Sequence, residues 1–206
     1  MATFIWNGLS WSETAPGPWP GRARHAMVYD PLRDLFVMFG GDENSSREYL
    51  DDTWELFDRG PAADYRTFGQ GCSGTSSYLP DMRPEPLFNT VPVLGGTFTM
   101  RIDGLPPGQP ASVMIGWSDV RWGTTPLPLA LDPLGMQGCT LYIAPSTFEA
   151  AGLANASGWT WWTVRIPNDE RLRGSGFFLQ ALALAPGANA IGVLTSNAGR
   201  GTIGHR

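Results

Sequence analysis

Acid–base and metal chemistry at neutral pH draws first on histidine, and this chain has two, His25 and His205. His25 follows Arg22-Ala23-Arg24 at the lead into an apolar strand, where a structural hydrogen-bonding role is expected. His205 is the penultimate residue, where fraying is expected. A Ser-His-Asp triad would have to use His25, and no Gly-x-Ser-x-Gly turn is present to raise a nucleophile. Glycoside hydrolysis needs two carboxylates across a cleft. Asp119, Asp132, Asp169 and Glu170 are available, but each falls in a predicted turn among Gly, Pro, Ser or Asn, where carboxylates routinely cap the backbone. No catalytic residue, metal or cofactor is therefore expected, and the chain reads as non-enzymatic.

Two further groups of side chains suit binding. Asp42-Glu43 and Asp51-Asp52 offer oxygen ligands of the kind calcium takes, but without the D-x-D-x-D-G spacing that would make the signal specific. A solvated loop ending in a strand-end Asp pair is the expectation there, with calcium left open. Nine tryptophans are present, three of them in Gly158-Trp159-Thr160-Trp161-Trp162-Thr163-Val164. On a strand, Trp159, Trp161 and Thr163 share one face while Thr160, Trp162 and Val164 take the other. The first face would set two large rings in line, a platform on which sugar rings could stack, although a core or a domain interface uses tryptophan in the same way. Trp117 and Trp122 carry the same pair of readings.

The elements that must position these residues are short strands. Gly 26 and Pro 18 recur along the 206 residues, a rhythm that suits tight turns and breaks any long helix. With 42% hydrophobic residues the chain has enough apolar surface for one large or two small cores. A net charge of −5 argues against a nucleic-acid partner, which needs a clustered basic surface. No apolar run reaches the length of a membrane span, and residues 1–11 lack the basic-then-apolar pattern of a signal peptide. Cys72 and Cys139 sit in similar settings, Gly71-Cys72-Ser73-Gly74 and Gly138-Cys139-Thr140. In a loop-rich chain the pair reads as a structural disulfide, the alternative being two buried free thiols.

Residues 3–58 carry an ordered set of motifs: Trp6-Asn7-Gly8, then Pro20-Gly21-Arg22-Ala23-Arg24-His25, then Tyr29-Asp30, then Leu35-Phe36-Val37-Met38-Phe39-Gly40-Gly41, then Asp51-Asp52-Thr53-Trp54. This segment resembles a kelch repeat, which implies one four-stranded antiparallel blade of a β-propeller over residues 1–64. Leu35 to Phe39 is apolar without alternation, so both of its faces should be covered. A propeller needs several blades and one is present. Leu35, Phe36, Val37, Met38, Phe39 and Trp54 are therefore expected to form an assembly interface with a second copy, as a homo-oligomer or a filament.

Residues 65–206 show strand candidates at 96–102, 111–117, 127–131, 139–143, 159–166, 176–184, 191–196 and 201–203, separated by turns such as Gly104-Leu105-Pro106-Pro107-Gly108 and Pro186-Gly187-Ala188-Asn189. The expectation is an all-β chain in which a jelly-roll-like sandwich follows the blade. Phe68-Gly69-Gln70-Gly71-Cys72, Leu134-Gly135-Met136-Gln137-Gly138-Cys139, Ile166-Pro167-Asn168-Asp169 and the run from Gln180 to Ser196-Asn197 resemble a C-terminal β-domain that ends many large secreted proteins of environmental bacteria. The resemblance implies export, to the extracellular space or the cell surface, and a cysteine bridge. It implies no reaction. Two functions follow as expectations: a structural subunit that self-associates through its open blade, or a secreted module that binds polysaccharide or protein.

Overall fold

The apolar run Leu35–Phe39 forms the middle strand of a small antiparallel sheet, and the longer run Gly176–Leu184 forms the middle strand of a larger one. The computed structural model describes residues 4–6, 11–13, 21–31, 33, 35–43, 48–56, 61–88 and 90–205. Its strands fall into two units, Met1–Arg59 and Gly60–Arg206, and the described residues are all-β apart from two short 3-10 turns at Asp132–Leu134 and Glu170–Leu172. The division precedes the Asp64 boundary expected from composition. Ala62 bridges His205, and the Ala63 N–H donates to the His205 carbonyl (2.8 Å), which binds this stretch to the second unit. The same bond anchors His205, and its Nε2 lies 3.2 Å from Glu170, so the fraying expected of a penultimate residue does not occur.

In the first unit, β1 (Phe4–Trp6) pairs with β2 (Trp11–Glu13), and β3 (Arg22–Ala23) pairs with β6 (Asp42–Glu43). Between and after these, β4 (Ala26–Asp30), β5 (Leu35–Phe39) and β7 (Thr53–Leu56) form an antiparallel sheet with β5 in the middle. Four strands were expected in the blade, and the described residues place three in this sheet. Arg22 holds the turns together. Its guanidinium is fully buried, forks onto the Asp52 carboxylate (Nη2 to Oδ2 2.8 Å) and donates to the Gly40 carbonyl (3.0 Å). The Trp54 indole N–H donates to the same carboxylate (2.5 Å). Gly41 can only be glycine, because its φ is +100° and a Cβ would stand 2.6 Å from the Ala23 carbonyl oxygen. Arg24 pairs with Asp42 at 2.9 Å, so Asp42 and Asp52, two of the four carboxylates weighed for calcium, are both engaged by arginine.

The second unit contains β8 (Asp64–Phe68), β9 (Asp81–Pro84), β10 (Thr97–Asp103), β11 (Pro110–Gly116), the short ribbons β12–β13 (Arg121–Trp122, Thr125–Pro126) and β14–β15 (Leu129–Ala130, Thr140–Leu141), then β16 (Pro145–Leu153), β17 (Thr160–Arg165), β18 (Gly176–Leu184) and β19 (Val193–Thr202). Five strands form one antiparallel sheet in the order β16-β11-β18-β19-β8, and three form another in the order β17-β10-β9. Strand 176–184 lies where the sequence puts it. The candidates 191–196 and 201–203 are one strand, β19, while 127–131 and 139–143 shrink to the β14–β15 ribbon. Strands β9 and β16 were not anticipated: both are sheet edges, with Pro, Gly and exposed positions that leave no apolar signature.

Alternation along the strands assigns the two faces of the five-stranded sheet. Val113, Phe177, Leu179, Ala181 and Ala183 point toward Met82, Phe98, Met100, Ile102 and Trp162 of the three-stranded sheet, and together they make the sandwich core. Met114, Phe178, Leu194 and Ala198 point the other way, onto a second cluster with Leu131, Met136, Leu141 and Ile143 from the excursion at 117–144. The middle strands of that sheet, β11, β18 and β19, are thus buried on both faces. Cys72 and Cys139 form a disulfide (Cα–Cα 4.9 Å) that staples the excursion down. Closing a 67-residue loop stabilises by about 4 kcal/mol in the chain-entropy account.

Within this second cluster the side chain of Gln180 is completely enclosed. Its Oε1 accepts from the Tyr142 N–H (2.9 Å), and its Nε2 donates to the carbonyls of Thr140 (2.8 Å) and Ser196 (2.9 Å). The β18–β19 ladder shifts register beside it, and the Ser196 hydroxyl accepts from the Ala181 N–H (2.8 Å) at that bulge. Asn197 then brackets Met82, accepting from its N–H (2.7 Å) and donating to its carbonyl (3.0 Å), which secures β9.

The Arg22–Asp52 pair generates a pH prediction for the first unit. Arg22, with help from Trp54, holds the Asp52 carboxyl well below its ordinary value of 3.8. The unfolded chain therefore takes up this proton first as pH falls. The stabilisation is complete above that value and is lost below it. In thermal melts, the gap between wild type and Asp52→Asn should be widest at neutral pH and narrow as pH drops below about 4. A gap that stays constant across that range contradicts the assignment.

Candidate outer-face binding site

Strand β17 pairs with β10 in the register Arg101↔Trp161 and Met100↔Trp162, and β10 pairs with β9 in the register Arg101↔Arg83. Because side chains alternate, Trp161, Thr163, Thr99, Arg101, Asp103 and Arg83 share the outer face of the three-stranded sheet. Trp162 faces inward and is 4% exposed, whereas Trp161 is 44% exposed. Trp159 is set at the start of the strand by a tight turn. Asn155 Oδ1 accepts from the N–H groups of Ser157 (2.9 Å) and Trp159 (3.3 Å), and Gly158 adopts φ +77° where a Cβ would lie 2.6 Å from the Leu105 carbonyl oxygen.

The rings do not stand as separate rungs. Trp159 and Trp161 lean together with centroids 4.9 Å apart and planes 43° from parallel. The Arg101 guanidinium lies 4.5 Å from the centre of the Trp159 ring, so one indole face is already covered by a cation. Phe88, itself 52% exposed, meets Trp161 edge-on at 6.1 Å. Beneath these rings is Glu85, which is 3% exposed. Its carboxylate accepts from the Trp161 indole N–H (3.3 Å) and the Leu87 N–H (3.4 Å), with Arg101 at 3.8 Å. Arg101 is held in turn by Asp103, through Nε (2.9 Å) and Nη2 (2.8 Å), and this bond raises its already high pKa. Arg83 reaches the same carboxylate at 3.0 Å.

A half-exposed indole with its N–H fixed, flanked by a second ring and by oriented guanidinium and carboxylate groups, offers a stacking surface and hydrogen-bonding groups at its rim. Alternation had placed Trp159 and Trp161 together. It had not pointed to Glu85, Phe88 or Arg101, which come from other strands and loops. The only signal for them is the charge and aromatic content of 83–88 and 101–103 opposite the Trp-rich segment.

The remaining candidates are dispersed. Asp132 Oδ1 accepts from the Gly138 N–H (3.0 Å) and Asp169 caps the Glu170–Leu172 turn through the Arg171 N–H (3.0 Å) while pairing with the Arg171 side chain, which lowers its pKa. Beside Asp119, the Ser118 hydroxyl accepts from Val120 and Arg121. Asp132 and Asp169 thus cap backbone, and beside Asp119 the cap is Ser118. His25 Nδ1 is enclosed with no hydrogen-bond partner among the described residues. Trp117 and Trp122 lie at the surface on the excursion. In the first unit, Leu35 (3% exposed) and Met38 (6%) are buried within the chain, which removes them from the expected assembly interface. Phe36 (37%) and Phe39 (53%) remain exposed, with Val37 and Trp54 intermediate. Compared with known proteins, the chain matches no family model, no curated protein and no solved structure.

Neighbouring tryptophans on one strand should behave oppositely. Trp162→Ala should cost about 3–5 kcal/mol of stability, by chemical denaturation, because it leaves a cavity between the sheets. Trp161→Ala should cost about 1 kcal/mol, the scale of its ring contacts. Equal losses would contradict the assignment of faces.

Proposed function

We propose that this chain is a non-catalytic module of an exported protein, acting outside the cell or at its surface, and that its sandwich binds polysaccharide on the outer face of β9, β10 and β17. The observation that carries this reading is Trp161: half-exposed on a regular strand, its N–H tied to the buried Glu85 carboxylate and its edge set against Phe88. Sugar rings present apolar C–H faces that stack on indole and hydroxyls that bond to guanidinium and carboxylate. Both kinds of group converge here. The Cys72–Cys139 disulfide supports export, since such bridges persist in oxidising compartments. In this reading the second unit is a jelly-roll-like carrier of the site, and the first is a kelch-like blade.

A second reading is favoured by the sheet of β4, β5 and β7. Phe36 and Phe39 are exposed there, as are Met27, Val28 and Tyr29, and the Tyr29 and Phe36 rings pack at 5.2 Å. By alternation Met27, Tyr29 and Phe36 lie on one side of this sheet and Val28 and Phe39 on the other, and exposed apolar side chains of this kind suit a second copy of the same chain, which would make the protein a self-assembling structural subunit.

For polysaccharide binding, affinity gels and calorimetry on a panel of neutral and acidic polysaccharides provide the test. At least one should bind, and Trp161→Ala should weaken it by about tenfold or more. Failure of every polysaccharide to bind contradicts the reading. For assembly, light scattering at micromolar concentration should find a dimer or larger species that Phe39→Glu returns to a monomer. A wild-type monomer at all concentrations rules it out.

A further inference from the structure

We propose a second binding site in the open side of the sandwich, between β16 and β17, and assign it to a small apolar amine. Each of these strands is the last in its sheet, and two bonds tie them across the gap. The Thr160 hydroxyl donates to the Ala151 carbonyl (3.1 Å), and the Trp162 indole N–H donates to Glu149 Oε2 (3.0 Å). Past Glu149, toward Thr147 and Val164, a cleft of about 290 Å3 lies between the sheets. Its walls are Ile115, Phe177 and Leu179 from one sheet and Val164 and Ile166 from the other, and Trp117, 66% exposed, stands at its rim.

The chemistry of the walls selects the ligand. Hydrocarbon side chains on both sides favour an apolar body. Among the described residues, Glu149 is the one charged residue that lines the cleft. The Trp162 N–H fixes it through Oε2, which leaves Oε1 to accept from a ligand. A carboxylate held in this way at the mouth of an apolar cleft takes a donor, and takes a cationic one best. An anion of the same shape would meet Glu149 with like charge and without a donor. The site is separate from the Trp159–Trp161 face, because Trp162 points into the core and Trp161 away from it.

The test uses the full chain, labelled with 15N and titrated with three probes of similar size: 2-phenylethylamine, 2-phenylethanol and phenylacetate. The amine should give saturable shifts at the amides of Ile115, Val164 and Leu179 and at the Trp162 indole, with affinity about tenfold or more above that of phenylacetate. Glu149→Gln keeps an acceptor for Trp162 and should remove the amine's advantage while leaving 2-phenylethanol unchanged. Thr147→Trp, on the exposed edge strand, should block all three probes while the β18 amide signals stay in place. The proposal is overturned if none of the probes gives saturable shifts at these residues, if phenylacetate binds as tightly as the amine, or if Thr147→Trp leaves binding intact.

Discussion

The carboxamide of Gln180 is fully buried in the middle of a strand, and its bonds reach two other parts of the second unit. It joins β18 to Tyr142 and Thr140 of the excursion and to Ser196 of β19. An amide left unpaired in such a place costs about 1–3 kcal/mol for each lost partner, so the excursion has one depth and one register at which it can lie on the sheet. The disulfide fixes the same layer from Cys139, and the Cys72 N–H donates to the Thr195 carbonyl (3.0 Å) one strand away. The central sheet therefore has both faces occupied, by the sandwich core on one side and by residues 117–144 on the other.

This constraint bears on the sites proposed for the second unit. The middle strands of the five-stranded sheet are covered on both faces, and the two binding sites proposed for the second unit use the outer face of β9, β10 and β17 and the open side between β16 and β17. Asn197 links the two levels, because the residue next to Ser196 holds β9 through both backbone groups of Met82. The outer-face site thus rests on a strand clamped from inside the molecule. Its side chains are ordered in the same way: Asp103 orients Arg101, Arg101 covers Trp159, and Glu85 fixes Trp161. Pre-set groups of this kind lose little freedom on binding a ligand.

Period-two alternation was enough to separate Trp161 from Trp162, and a nine-residue run that is apolar apart from Gln180 was enough to find β18. The cysteines were legible as a pair, though their role in covering a sheet was not. What alternation cannot show is a contact between distant residues that is polar and buried. Glu85 and Gln180 look like ordinary surface residues in the sequence, and only the fold encloses them. The run from Leu35 to Phe39 failed in a different way. With every position apolar it carried no phase, so nothing distinguished Leu35 and Met38, which are buried, from Phe36 and Phe39, which are exposed. Edge strands β9 and β16 were invisible because an exposed edge has no apolar face to display.

Residues 117–144 form a separately pinned layer, and the three-stranded sheet forms a platform that does not depend on it. Amide hydrogen exchange before and after reduction of Cys72–Cys139 tests this most directly. Reduction should speed exchange at the amides of Leu131, Cys139 and Tyr142 and at Cys72, while Phe98, Met100, Ile102 and Trp162 keep their protection. If exchange in β10 and β17 rose as much as in the excursion, or if the excursion did not respond at all, the layered account would be contradicted.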